Sequence, residues 1–237
     1  MQIVRNERHI RVRSFIGKNM PLVGLGALAV GLIISFVKPE QLLGMAVSML
    51  LGIIFSVIGG AFAERYAGPL AHHKVLNDVL KGLGGEYSLV QYLLPVPHVL
   101  LEPGGLTVLV IKSHPGQVTF QERGRWKHKQ PGKFFRQLVG QEGVGAPDLE
   151  AEYQVEKLKR WLAGQIPDIE VPVRAAIVFV NPNVQLDAAD SPIPAFYGKK
   201  IKAWLRGPGK LRSLPPAVYR QLVDVLGVAN GDDDDDV

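Results

Sequence analysis

The sequence predicts an α+β or α/β chain in which an N-terminal two-helix transmembrane hairpin precedes a mixed-sheet domain. Three observations carry that expectation. Residues 20–37 and 41–63 contain no charged side chain. Only Lys38, Pro39 and Glu40 separate them. Beyond residue 82, short β-branched runs alternate with stretches of helical periodicity, the pattern of a sheet covered by helices.

Residues 1–19 read as a basic cytoplasmic leader, with Arg5, Arg8, Arg11, Arg13 and Lys18 before the first apolar run. Residues 20–63 read as the hairpin. At 1.5 Å per residue its two runs reach about 27 and 34 Å, against a bilayer core of about 30 Å. Pro39 cannot continue a helix, and Lys38 and Glu40 are too costly in hydrocarbon, so the three form a tight polar turn. Arg65 and Lys74 follow the second run. Positive charge on both outer flanks puts both termini in the cytoplasm of a multi-pass protein of the cell membrane.

Small residues recur every fourth position at Gly44, Ser48, Gly52, Ser56 and Gly60, and again at Ala27, Gly31 and Ser35. Residues four apart share a helix face, and small side chains let backbones approach. The stripe is expected to pack the two helices together; its alternative use is a homo-oligomer.

Residues 64–81 read as a juxtamembrane helix broken at Gly68-Pro69. His72 and His73 point about 100° apart on a helix and do not chelate together, so they read as a solvent-facing pair. Gly82, Gly84 and Gly85 suggest a hinge. Residues 86–94 read as a helix and 99–102 as a short strand. Pro103-Gly104-Gly105 is a turn. Residues 106–112 form a strand apolar on both faces, and so a central one. Residues 117–120 and 125–129 are further strands around Gly124. Residues 149–162 have helical periodicity, and 173–180 form a second buried strand closed by Asn181-Pro182-Asn183. Residues 201–206 read as a helix that ends the domain, and residues 216–226 as a helix within a C-terminal extension that runs over 207–230.

The chain has 237 residues, a formal charge of +5 and no Cys. Disulfides and Cys-based zinc sites are excluded. Setting aside Asp232, Asp233, Asp234, Asp235 and Asp236 leaves the rest at +10. Residues 231–237 read as an acidic disordered tail. The basic remainder suits anionic lipid headgroups or a phosphate-bearing partner, or simply sets topology.

Gly85-Glu86, then Pro97-His98-Val99, then Pro103-Gly104-Gly105-Leu106-Thr107-Val108-Leu109-Val110-Ile111-Lys112, then Gly116 and Trp126, taken in that order, resemble the nuclease-related domain. That family is similar to the restriction-endonuclease-like superfamily of PD-(D/E)XK nucleases. The resemblance covers roughly residues 82–206. Gln154 resembles a Gln that the family carries on its following helix, and residues 174–180 resemble its later buried strand.

The resemblance implies an Asp at the start of one strand and a Glu two residues before a Lys on the next. Such acids hold Mg²⁺, a hard ion that prefers carboxylate oxygen and activates water for phosphodiester hydrolysis. Here Lys112 is kept, but Pro97 and Val110 stand where the two acids belong. Neither binds a cation. A catalytically inactive binding module, a pseudoenzyme with no cofactor, is therefore expected. Glu86, Glu102, Lys112 and Gln154 are the candidate catalytic residues if activity survives, with Mg²⁺ held by relocated acids.

Lys112 reads either as a phosphate contact or as a strand-end Lys whose stem lies along the sheet. Arg123, Arg125, Lys127 and Lys129, with His128 and Trp126 among them, form a candidate nucleic-acid patch. Strand alternation puts Arg125, Lys127 and Lys129 on one face and Trp126 on the other, toward the core. No phosphate-binding glycine loop, nucleophile elbow or His-Glu-x-x-His motif is present. The expected partners are the lipid bilayer and a nucleic acid or acidic protein; a structural membrane scaffold is the remaining alternative.

Overall fold

The first residues of the chain, expected to be a leader, instead form an edge strand of the main sheet. The structure is a computed structural model that describes residues 1–121, 124–130 and 143–228. Arg123 and the acidic tail lie outside the described residues. The chain divides into two units, one built mainly of residues 8–72 and the other of residues 1–7 and 73 onward.

The first unit is a helical hairpin. α1 (Glu7–Val37) and α2 (Leu42–Phe62) are joined by a turn at residues 38–41 and followed by a π-helical turn, Ala63–Ala67. The break comes at Gly68, whose backbone is extended. Both helices are long and apolar enough to cross a membrane, and only 11% of the apolar window of each is buried within the chain. Leu25, Leu32, Phe36 and Leu43 point outward, with Phe36 and Leu43 each 79% exposed. A helix that packs inside a soluble core would hide these side chains.

The contact between the two helices runs along glycine. The buried positions of α1 are Ile10, Gly17, Gly24 and Gly31, and those of α2 are Gly52 and Gly59. Both series step by seven, the repeat that holds one face of a helix against a neighbour. A Cβ at Gly24 would come within 2.8 Å of the Gly52 carbonyl oxygen, and one at Gly59 within 2.5 Å of Pro21 Cδ. Ser48 meets Gly31, and Ser56 meets Gly24. The small-residue stripe of α2 thus serves the hairpin itself, and on α1 it follows Gly17, Gly24 and Gly31 rather than Ala27 and Ser35.

The second unit is a mixed α and β fold. Its strands are β1 (Gln2–Arg5), β2 (Ser88–Gln91), β3 (His98–Glu102), β4 (Gly105–Lys112), β5 (Gly116–Gln121), β6 (Arg125–Lys129), β7 (Val173–Phe179), β8 (Val184–Asp187) and β9 (Ala195–Tyr197). Its helices are α3 (His72–Leu80), α4 (Pro147–Gln165), α5 (Lys200–Arg206) and α6 (Pro216–Val225). A six-stranded sheet has the order β1-β2-β3-β4-β7-β9, and a three-stranded sheet the order β6-β5-β8. In the large sheet only β3 runs against its neighbours; β1 is parallel to β2, and β7 to both β4 and β9.

Both faces of this sheet are covered. Val108, Val110, Ile177 and Phe179 share one cluster with Ala151, Leu158 and Leu162 of α4. Leu109, Ile111, Ala176 and Val178 share the other with Leu76 and Leu80 of α3 and with Ile201 and Leu205 of α5. Burial on two faces explains why β4 and β7 are continuously apolar.

Three expectations need correction. Residues 86–94 are not helical: Ser88–Gln91 is a wholly buried strand, held between β1 and β3. Leu83, Tyr87 and Val90 fall at helical spacing, but backbone pairing on both sides decides in favour of the strand. His73 is not solvent-facing; it is buried, and its backbone carbonyl accepts from Gln91 Nε2. The leader residues 2–5 are β1, with Met1 and Ile3 packed beside one core cluster and Val4 beside the other.

Candidate functional site

Strands β4 and β7 are parallel, and α4 carries the chain from one to the other. Their carboxyl ends and the first turns of α4 therefore meet at one edge of the sheet, where α/β proteins commonly bind ligands. Lys112 closes β4 at this edge, on the same face as Val108 and Val110. Its Nζ donates to Glu150 Oε2 at 2.7 Å. Gln154 Nε2 donates to the other oxygen of Glu150 at 3.1 Å. Lys112 and Gln154, two of the residues predicted from sequence, are thus brought together by a third that was not.

Glu150 lies in the first turn of α4, as does Asp148, favourable places for negative charge. Asp148 is buried, and its Oδ1 finds no hydrogen-bond donor among the described residues. Around the strand ends, Asn181 Nδ2 donates to the Ser113 carbonyl at 2.8 Å. The Asn181 side-chain oxygen accepts from the Asn183 backbone N–H at 2.9 Å, which shapes the turn after β7.

Glu86 and Glu102 are elsewhere. Glu102 pairs with Gly105 at the start of β4, so it lies about seven strand residues, or roughly 23 Å, from Lys112. Glu86 is exposed just before β2, at that same far end. Glu102 is 2% exposed. Arg174 Nη2 reaches its two oxygens at 3.0 and 2.9 Å, and the Thr107 hydroxyl donates to it as well. Arg174 Nε also donates to Thr107 Oγ1 at 2.9 Å. Burial pushes the Glu102 carboxyl above its ordinary range, with Thr107 and Arg174 pulling it back. Its lone pairs are committed to the sheet, and it is no ligand for a cation at Lys112.

The β3–β4 ladder pairs Val99 with Val108. Pro97 immediately precedes β3, and Val110 lies on β4, the strand that pairs with it, two residues beyond the last paired position. Pro97 is exposed and Val110 is buried. The turn that leads into Pro97 holds Tyr92 at φ 60°, with its N–H bonded to the Pro97 carbonyl at 2.8 Å and its ring edge-on to His98. A tyrosine in this region is uncommon and carries strain.

Mg²⁺ needs hard oxygen donors; Pro97 and Val110, the positions that the resemblance implies for them, offer none, and the Glu150 carboxylate at this edge already accepts from Lys112 and Gln154. Among the described residues no group of three His, Asp or Glu is placed to hold a metal.

The basic residues lie on the smaller sheet. Arg125, Lys127 and Lys129 are exposed, while Trp126 and His128 alternate inward. Cross-strand pairing sets them beside Gln121, Thr119 and Gln117 of β5, and then beside Asp187 and Gln185 of β8. Alternate strand residues are about 6.8 Å apart, so the three cations form a straight row along the sheet's edge. Among the described residues none of the three makes an ion pair. Trp126 packs against Phe120 and Phe179, with ring centroids 5.3 and 5.9 Å away. It is partly buried, turned inward and packed against the core, away from the exposed row of cations.

No family model, curated protein or solved structure matches this chain.

Proposed function

We propose that the protein is a membrane-anchored binding module, catalytically inactive, that holds a polyanion at the cytoplasmic face through the β6 row. The observation that carries this reading is the uncompensated line of Arg125, Lys127 and Lys129, set on a polar sheet face with no aromatic exposed among them. Such a face grips a phosphodiester backbone or an acidic segment by charge and does not read bases. Lys112 is not part of it, because Glu150 already neutralises its ammonium.

The resemblance to the nuclease-related domain supports the inactive half of the reading. The two positions that the resemblance implies for acids carry a pyrrolidine ring and an isopropyl group. The apolar outer surface of the hairpin supports the anchor. β1 and the rest of the large sheet flank the hairpin in sequence, so the membrane is crossed twice and both flanks stay on one side. Basic flanks make that side the cytoplasm.

The test is single-stranded DNA and RNA binding by the full chain in zwitterionic nanodiscs. The triple variant Arg125→Gln, Lys127→Gln, Lys129→Gln should lose most affinity. Its log K against log salt slope should fall by about 2, as expected for three lost phosphate contacts. Unchanged affinity and slope would refute the reading.

A second reading is favoured by the Lys112–Glu150–Gln154 contact, which places an acid beside the retained Lys. Under it the protein is a phosphodiesterase whose acid has moved to α4. Cleavage of linear DNA or RNA with Mg²⁺ or Mn²⁺, abolished by Glu150→Gln, would establish it and displace the first.

A further inference from the structure

A cavity of about 560 Å³ opens at the other end of β7, away from both sites above, lined by α4, β7, residues 192–194 and Trp204. Its volume falls within the range of ligand sites. What distinguishes it is backbone. The N–H of Ile177 bonds to the Pro194 carbonyl, and Gly198 N–H to the Phe179 carbonyl, so odd-numbered residues of β7 face β9. Pro172 offers its carbonyl to Leu106 on β4, so even-numbered residues face the other way. β9 pairs only from Ile177 onward. Val173 and Ala175 therefore turn their N–H and C=O groups into the cavity, where among the described residues no strand meets them. Ala175 is 5% exposed, and buried backbone groups are rarely left without partners. Pro192 and Pro194 flank the gap, and neither has an N–H to donate.

The side chains around this edge are sorted by face. Val173 and Ala175 share the α4 side with Val155, Glu152 and Glu156. Arg174 points to the opposite side, where its guanidinium lies 4.1 Å over the Trp204 ring and its charge is cancelled by Glu102. The two carboxylates stand one helical turn apart on α4, at a spacing close to that of alternate residues along a strand.

We infer that this cavity takes an extended peptide segment that adds a short strand to the free edge of β7, with basic side chains at alternate positions toward Glu152 and Glu156 and an apolar one between them toward Trp204. Main-chain hydrogen bonds hold such a strand, and the pockets for alternate side chains select it. The chain's own run of Asp232 to Asp236 has the wrong charge for this rim.

The probe is acetyl-Val-Lys-Val-Lys-Val-amide, titrated into the full chain in zwitterionic nanodiscs and read by fluorescence anisotropy of a labelled copy. Saturable binding is expected below about 1 mM, with slowed hydrogen exchange at Ala175. Two N-methylated peptides, one methylated at both Lys and one at the inner Val, separate strand pairing from sticking. One of them should lose binding at least tenfold and the other should keep it, because only alternate amides face β7. The exposed double variant Glu152→Lys, Glu156→Lys should weaken binding at least tenfold, and a peptide with Glu in place of Lys should not bind. Absence of saturable binding, equal effects of both methylations, or unchanged exchange at Ala175 would overturn the proposal, the last two by showing apolar adsorption without strand addition.

Discussion

Replacing Arg174 by Met keeps the length of the side chain but strips Glu102 of its cation. Glu102 is 2% exposed and Arg174 22% exposed, so the carboxylate is the member that cannot fall back on water. Removing one partner of a buried pair destabilises by about 3–5 kcal/mol, because the survivor is left buried and uncompensated. For a domain of this size each kcal/mol shifts the melting temperature by about 2–4 °C, so the midpoint should fall by about 6–20 °C near pH 7.5. The loss should depend on pH in a definite direction. Burial already raises the Glu102 carboxyl above the ordinary 4.5, and removing Arg174 raises it further. An acid whose folded value is raised contributes most below its unfolded value, and that contribution is lost as pH rises through the folded value. Arg174→Met should therefore approach wild type as the pH falls toward 5. Adding Glu102→Gln should recover much of the loss at pH 7.5. The assay is thermal unfolding followed by circular dichroism in detergent micelles. An equal loss at pH 5 and 7.5, or a double variant no better than the single one, would refute the argument.

Gly59→Leu should separate α1 from α2, since even its Cβ meets Pro21; a disulfide placed across the two helices should then form more slowly, while Gly26→Leu, which meets nothing, should leave it unchanged. Trp126→Ala should lower stability by about 3 kcal/mol and leave polyanion affinity within twofold of wild type, read by denaturant melts and anisotropy. Val4→Pro should remove a donor that β1 gives to β2, because Gln2 and Asn6 donate to Tyr87 and Gln91 and Val4 shares their edge, seen as faster hydrogen exchange across Ser88–Gln91. Burial, then Lys74 and Arg5, hold His73 below its ordinary 6.5. The unfolded chain therefore takes the proton first and stability falls as pH drops below 6.5; His73→Gln should flatten that slope in the same melts.

What could be read from the residues was whatever they declare locally. The hairpin shows in two uncharged runs, and β4 and β7 show in apolar runs too long for a half-buried strand. The inward turn of Trp126 follows from alternation alone. Strands β1, β8 and β9 were missed because each is three or four residues long and exists only by pairing with a distant segment, as Gln2 does with Ser88. The same pairing makes a strand of residues that would otherwise suit a helix. Glu150 escaped notice because it reaches Lys112 across 38 residues of sequence, and no short motif marks a contact made by a crossover helix. Glu102 reads as available because a carboxylate beside a Pro-Gly-Gly turn carries no sign of the arginine that occupies it.

The placement of β1 bears on how the protein is best divided. A fragment that starts at residue 82 removes the strand that shields Ser88–Gln91 and bares a row of backbone donors and acceptors, an invitation to stray pairing and aggregation. Excising the hairpin between Asn6 and His73 and bridging the ends with a flexible linker keeps that shield while removing the apolar surface of the two long helices.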